Sequence, residues 1–229
     1  AQIAPGRYEK GEHALTAKRW AMVIDTRLFR GPEDYEPLIE ACHKVHNVPH
    51  IPGNQDIKWF WLDKYERVFP DDMNAHINDK TRQASYPLLC NHCTNPPCVR
   101  VCPTQATYRM EDGIVAMDYH RCIGCRFCMA GCPYGARSFN FVDPRKYLSD
   151  PVPNPTFPTR MIGVVEKCTF CAERLAAGQM PACVEAAGGK ILFGDLEDPN
   201  STVRQALAAN YSIRRKPNLG TQPGVYYLI

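Results

Sequence analysis

The sequence predicts an α+β protein of two modules, one inserted in the other, with short strands, short helices and long Pro/Gly-rich segments. Three observations carry this. The twelve cysteines among 229 residues fall into tight groups instead of spreading along the chain. Two complete groups, at 90–102 and 122–132, lie side by side, while Cys42 and the group at 168–183 bracket them. Proline, at 20 residues, stands above the roughly 5% norm and suits turns and extended segments more than long helices.

The chain is long enough to bury a core, as one large domain or two small ones. A formal net charge of +3, with no run of five like charges, gives no reason to expect a nucleic-acid partner. The longest apolar runs, "AMVI" and "MIGVV", fall far short of the roughly 18 residues a membrane span needs. The chain is expected to be soluble by itself and able to dock on a membrane protein. It starts at Ala1 and not at Met, for which removal of a signal peptide is one ordinary reason and a different trimming of the chain another.

In chain order, "YEPLIEACHKVHNV" (35–48) sets Leu38, Ile39, Cys42 and Val45 or His46 at helical spacing, which turns Cys42 inward. The aromatic stretch "WFW" (59–61), with Tyr65, reads as core for at least one tryptophan, or as a docking patch. "ATYRMEDGIVAMDYHRC" reads as a hairpin turning at Glu111-Asp112-Gly113. "GARSFNF" (135–141) and "GGKILFGD" (188–195) read as strands, with glycine where the backbone turns tightly. "NSTVRQALAAN" predicts a helix capped by Asn200 or Ser201. The segments 150–159 and 216–229 are Pro/Gly-rich and predict extended chain that wraps the protein or contacts partners. No tandem repeat is visible beyond the cysteine groups.

Cysteine spacing separates disulfides, zinc and iron-sulfur chemistry. Disulfide frameworks spread their cysteines, whereas a C-x2-C pair brings two sulfurs to one centre. Cys122-x2-Cys125-x2-Cys128-x3-Cys132-Pro133 matches the bacterial ferredoxin run for 4Fe-4S clusters at every position. Cys90-x2-Cys93-x4-Cys98-x3-Cys102-Pro103 is the same run with two extra residues. In such runs the fourth cysteine ligates the neighbouring cluster. The expected sets are therefore Cys90, Cys93, Cys98 and Cys132 (cluster 1), and Cys122, Cys125, Cys128 and Cys102 (cluster 2).

Cys168-x2-Cys171-x11-Cys183 is a third run whose fourth ligand is replaced by Ala187. Near residue 30, Phe29-Arg30-Gly31-Pro32 stands where a C-x-G-C start is expected, and only the closing Cys42 remains. By the crossing rule, one cluster of this pair has lost its ligands, with Phe29, Pro32 and Ala187 at the vacated positions. The other keeps Cys168, Cys171, Cys183 and Cys42 (cluster 3). Cys42 alone reads as a buried thiol; the completed ligand count favours ligation. All twelve cysteines are then used, in three 4Fe-4S clusters. The domains expected are an outer bacterial-ferredoxin-like module at 15–80 plus 155–229, an inner one at 85–147, and an N-terminal extension at 1–14.

Other candidates have plainer readings. His92, between Cys90 and Cys93, is placed to tune a cluster, yet surface packing is the favoured expectation. His43 and His46 are expected to be solvated. No catalytic site is found. A C-x3-C-x2-C radical-enzyme motif fails at Gln105 and at Gly135, and four-cysteine clusters leave no open iron.

The stretches "RWAMVIDTRLFRG", "CNHCTNPPCVRVCPTQATYRMEDGIVAMDYHRCIGCRFCMAGCPYGAR", "EKCTFCAERLAAGQMPACVEAAGGKILFGDLEDPNS" and "LGTQPGVYYL" resemble the iron-sulfur, four-cluster ferredoxin-like subunits of the dimethyl sulfoxide reductase group. The resemblance covers roughly residues 19–229, and the lost fourth cluster is the departure from it. Within the group, the chain looks most like the DsrO-type subunits of DsrMKJOP complexes. That implies an electron-transfer role in a respiratory complex of sulfur metabolism and export of the folded protein to the periplasmic side of the membrane. The implied partners are an NrfD-type integral-membrane quinone-interacting subunit and a multihaem c-type cytochrome. The alternative implied by the group is electron transfer for a molybdopterin oxidoreductase.

Overall fold

The computed structural model describes residues 10–73 and 75–229; the first nine residues of the expected 1–14 extension lie outside them. The strands are β1 (Trp20–Asp25), β2 (Phe60–Lys64), β3 (Ser85–Leu89), β4 (Thr107–Arg109), β5 (Val115–Met117), β6 (Ser138–Phe139), β7 (Val165–Glu166), β8 (Ile191–Asp195), β9 (Ser212–Ile213) and β10 (Val225–Leu228). The helices are α1 (Glu36–Val45), α2 (Tyr65–Val68), α3 (Asp79–Gln83), α4 (Pro97–Arg100), α5 (Phe127–Ala130), α6 (Ala172–Ala176), α7 (Ala182–Ala186) and α8 (Thr202–Ala209). Among the described residues, no helix is long and apolar enough to cross a membrane.

One four-stranded sheet, in the order β8-β1-β10-β9, joins both ends of the chain; β1 runs antiparallel to β8 and parallel to β10. β1 is apolar on both faces because both are covered. Trp20, Met22 and Ile24 enter the main core, while Ala21 and Val23 pack with Leu228 and with Val203 of α8. Full burial of side chains of this size stabilises by about 1.5–3 kcal/mol each, so a polar substitution on either face of β1 would break the sheet. Ser201 caps α8 by accepting from the Arg204 amide at 3.2 Å.

The expectation for 216–229 needs correction: its second half is β10, an inner strand hydrogen-bonded to β1 and β9, with Val225, Tyr227 and Leu228 buried. The 150–159 segment is extended as expected, but its anchors are this chain's own. Asn154 donates through Nδ2 to the Val45 carbonyl at 2.6 Å, its carbonyl accepts from Asn47 Nδ2 at 2.7 Å, and Phe157 is buried.

The hairpin forms as β4 and β5, with Gly113 at φ +87°, the left-handed conformation its turn requires. "GARSFNF" contributes only the two-residue β6, paired with β7. "GGKILFGD" yields β8, preceded by Gly188 and Gly189 at φ +56° and +89°. Trp59 and Phe60 are fully enclosed, which settles that aromatic stretch as core. α4 packs against α5, and α1 against α7; each pair carries cysteines.

Candidate metal centres

Cys42 lies on the buried face of α1, Cys183 on the buried face of α7, and Cys168 and Cys171 in the loop leading into α6. All four thiols are buried and unoxidised. Phe170 and Cys171 take left-handed φ values of +54° and +52°. That fold of the loop lets the Phe170 amide donate to Cys168 Sγ at 3.4 Å. Desolvation pushes Cys183 up to about 12. It raises Cys42, Cys168 and Cys171 as well, and each is raised further by other thiols of the group. Four buried thiols that oppose one another's ionisation form a poor site for protons to leave and a good one for a metal cation, whose charge stabilises thiolates. The donor set fits iron.

In the central segment, burial raises Cys93 to about 12, with Cys90, Cys98 and Cys132 adding to the shift. Cys132 is raised by burial and then by Cys90. Cys128 is raised by burial, lowered by Arg137, and raised again by Cys122, Cys98 and Cys102. Cys102 differs: desolvation opposes its ionisation, but hydrogen bonds from the Thr107 amide, at 3.5 Å, and from Thr104 outweigh it and hold the thiol below its ordinary value. Cys125 is exposed, in the loop between β5 and α5. Within that loop Gly124 has φ +71°, and a Cβ there would meet the Gly163 carbonyl oxygen at 2.6 Å, so glycine is required.

Of the three expected lost-ligand positions, Phe29 and Pro32 line one cleft, which Ala187 does not border. Phe29 stacks on Tyr35 with centroids 4.1 Å apart, and both, with Pro32, border a cleft of about 440 Å³. Lys190, whose amide donates to the Ala187 carbonyl, holds Nζ 5.0 Å from the Phe29 ring centroid. Tyr35 escaped the sequence reading, although Phe29-x2-Pro32-x2-Tyr35 repeats the spacing of the intact run.

The histidines are not where sequence reasoning expected them. His92 is buried, accepts from the Val115 amide at 3.1 Å and stacks on Phe170 at 3.7 Å, so it bridges the loops Cys90–Cys93 and Cys168–Cys171 instead of packing at the surface. His46 is also buried: Nδ1 lies 2.7 Å from the Cys42 carbonyl oxygen and Nε2 2.8 Å from Glu173 Oε1. Burial pushes His43 down to about 4. His46 and His92 share a reason: each ring fills space in an enclosed cysteine loop or helix, His46 Nδ1 lying 3.8 Å from Cys42 Sγ and His92 stacking on Phe170 between Cys168 and Cys171. His46, Cys171 and Glu173 bring ligand atoms within 4.8 Å of one another.

Nothing in the sequence singled out Glu166, which accepts from Trp59 Nε1 at 2.7 Å, Arg160 Nε at 2.8 Å and Asn140 Nδ2 at 2.7 Å in full enclosure. These partners are spread over more than a hundred positions, so no local pattern announces them.

Residues 82–144 match the family described as 4Fe-4S dicluster domain. The chain is 41% identical to the Hdr-like menaquinol oxidoreductase iron-sulfur subunit 1 of Archaeoglobus fulgidus, across 96% of this chain and 86% of that protein. It is 42% identical to a polysulfide reductase component of Wolinella succinogenes, across 92% and 94% of the two. It is 46% identical to a putative dimethyl sulfoxide reductase iron-sulfur subunit of Halobacterium salinarum, across 82% and 71%. With thiol groups suited to iron and relatives aligned along most of its length, the chain belongs to the family of iron-sulfur subunits of Hdr-like menaquinol oxidoreductase and of the dimethyl sulfoxide and polysulfide reductases.

Proposed function

We propose that the chain is a non-catalytic electron-transfer subunit with three 4Fe-4S clusters, working in a DsrMKJOP-like respiratory complex of sulfur metabolism. Cys90, Cys93, Cys98 and Cys132 hold the first, Cys122, Cys125, Cys128 and Cys102 the second, and Cys168, Cys171, Cys183 and Cys42 the third. The clusters supply one-electron exchange. The protein fixes their spacing, excludes water from the outer set and donates amide hydrogen bonds to sulfur. The outer module, 15–80 with 155–229, embraces the inner module, 85–147, and the aromatic pair Phe29 and Tyr35 fills the place of a fourth cluster.

The observation that carries this reading is the burial of four cysteines, none in a disulfide, from three separate segments around the contact of α1 with α7. The partners are an NrfD-type integral-membrane quinone-interacting subunit and a multihaem c-type cytochrome, with the chain peripheral on the extracytoplasmic side. The Archaeoglobus relative, named for menaquinol oxidation, supports the quinone side. The Halobacterium relative, named for dimethyl sulfoxide reductase, favours a second reading in which the same wire serves a molybdopterin oxidoreductase.

The test is metal analysis of the native complex with absorption spectra before and after dithionite. Three clusters require about twelve irons per chain and no zinc; about eight irons with zinc removes the outer cluster. Reduced c-haem bands without molybdenum support the first reading, and molybdenum without haem supports the second.

A further inference from the structure

Four cationic side chains are buried: Arg137, Arg160, Lys167 and Arg215. Arg160 is the ordinary case, with Nε 2.8 Å from a Glu166 carboxylate oxygen. Among the described residues the other three have no carboxylate partner. Arg137 donates from Nη1 to Thr107 Oγ1 at 3.0 Å and to Met117 Sδ at 3.5 Å, while its buried Nη2 meets no nitrogen or oxygen acceptor and the Cys98 side chain lies within its reach. Lys167 donates to the carbonyls of Val115 and Cys168, the latter at 2.7 Å. Arg215 donates to the carbonyls of Val68 and Tyr134, two residues beyond Cys132. Neutral carbonyls and a hydroxyl leave a buried charge uncompensated, one of the most costly features a core can contain.

What lies near these cations is sulfur. Thr107, which accepts from Arg137, donates its own amide to Cys102 Sγ at 3.5 Å, and Cys98, Cys128 and Cys90, members of two adjacent thiol sets, favour the charged form of Arg137 although burial opposes it. The charge of Lys167 bears on the Cys168 thiol and on His92. His92 sits between Cys90 and Cys93, and its ring stacks on Phe170, between Cys168 and Cys171. Lys167 therefore occupies the second junction between sets, as Arg137 occupies the first.

We propose that Arg137 and Lys167 are the counter-charges of the clusters, each shared by two neighbours and each raising the midpoint potential of both. Arg137 serves the Cys90 and Cys122 sets; Lys167 serves the Cys90 and Cys168 sets. Four thiolates leave a cube with net negative charge, and reduction adds one electron from the donor and so one more negative charge. A fixed cation at the junction favours the reduced form. The Lys167 half rests on the three-cluster reading, whereas the Arg137 half needs only the dicluster segment.

The experiment is a potentiometric titration followed by electron paramagnetic resonance on the complete subunit, with iron content measured alongside. The variants are Arg137→Gln, Arg137→Lys, Lys167→Gln and Lys167→Arg. In Arg137→Gln, two reduction waves should fall by a factor of ten or more in their reduction equilibrium, about 59 mV per tenfold step for one electron. In Lys167→Gln two waves should fall, one of them shared with the first variant, and the charge-keeping variants should hold their potentials. Unmoved waves, a uniform shift of all three, or equal shifts in charge-keeping and neutral variants would overturn the inference. If a neutral variant loses iron, retention of iron by its charge-keeping counterpart supports the proposal, and loss in both refutes it. About eight irons with zinc in the unaltered chain would sink the three-cluster reading. Arg137→Gln must then still move both remaining waves, and Lys167→Gln only one.

Discussion

The central segment and the outer part of the molecule both begin their cysteine groups with a C-x2-C pair and enclose them differently. Centrally, two complete runs face each other through α4 and α5, and one edge is open: Cys125, Ile123 and Phe127 are exposed. In the outer part the four remaining cysteines are buried, and the segment before Cys42 places Phe29, Pro32 and Tyr35 along one cleft. The difference teaches that enclosure is set by which segments pack around the cysteines: the central edge is left to solvent, whereas α1, α7 and the loop into α6 close over the outer four.

The largest test of that contrast is Cys42→Ala. If Cys42 is a ligand, about four of roughly twelve irons should be lost, with the signals of the two central clusters kept; an undiminished iron content would return Cys42 to a packing role. Next is Glu166→Ala, which strands Arg160 and removes the acceptor for Trp59 and Asn140. Breaking a buried pair this way costs about 3–5 kcal/mol, and it should appear as a marked fall in Tm. A Tm close to that of the parent would show that the two parts do not depend on this junction. Phe29→Ala should cost less, about 1–3 kcal/mol, with iron content unchanged; loss of iron would mean that the aromatic pair supports the surviving cluster. The smallest effect is expected from Ser201→Ala, about 1 kcal/mol from the lost cap of α8, seen as a few degrees in Tm with unaltered spectra.

What was legible in the sequence was local. The runs at 90–102 and 122–132, the turn at Gly113, the inward face of α1 and the cap at Ser201 each depend on residues a few positions apart. The expected pairing of Cys42 with a run more than a hundred positions later came from ligand counting, not from any pattern of apolar residues. What stayed hidden was non-local. β10 is preceded by Pro217 and Pro223, so it reads as loose chain, yet Met22 aligns with Val225 across the protein. His46 and His92 looked ordinary because a histidine gives no hint of burial until its enclosing partners, Glu173 and Phe170, are brought from distant segments. Arg137 and Lys167 could not be told from surface cations for the same reason.

The parallel pairing of β1 with β10 has a consequence for how the protein is made. A parallel neighbour this distant in sequence is slow to find and cannot be replaced by any shorter contact. Every cysteine precedes β10 in the chain, the last being Cys183. During synthesis all twelve thiols therefore emerge before the strand that completes the pairing of β1 is available.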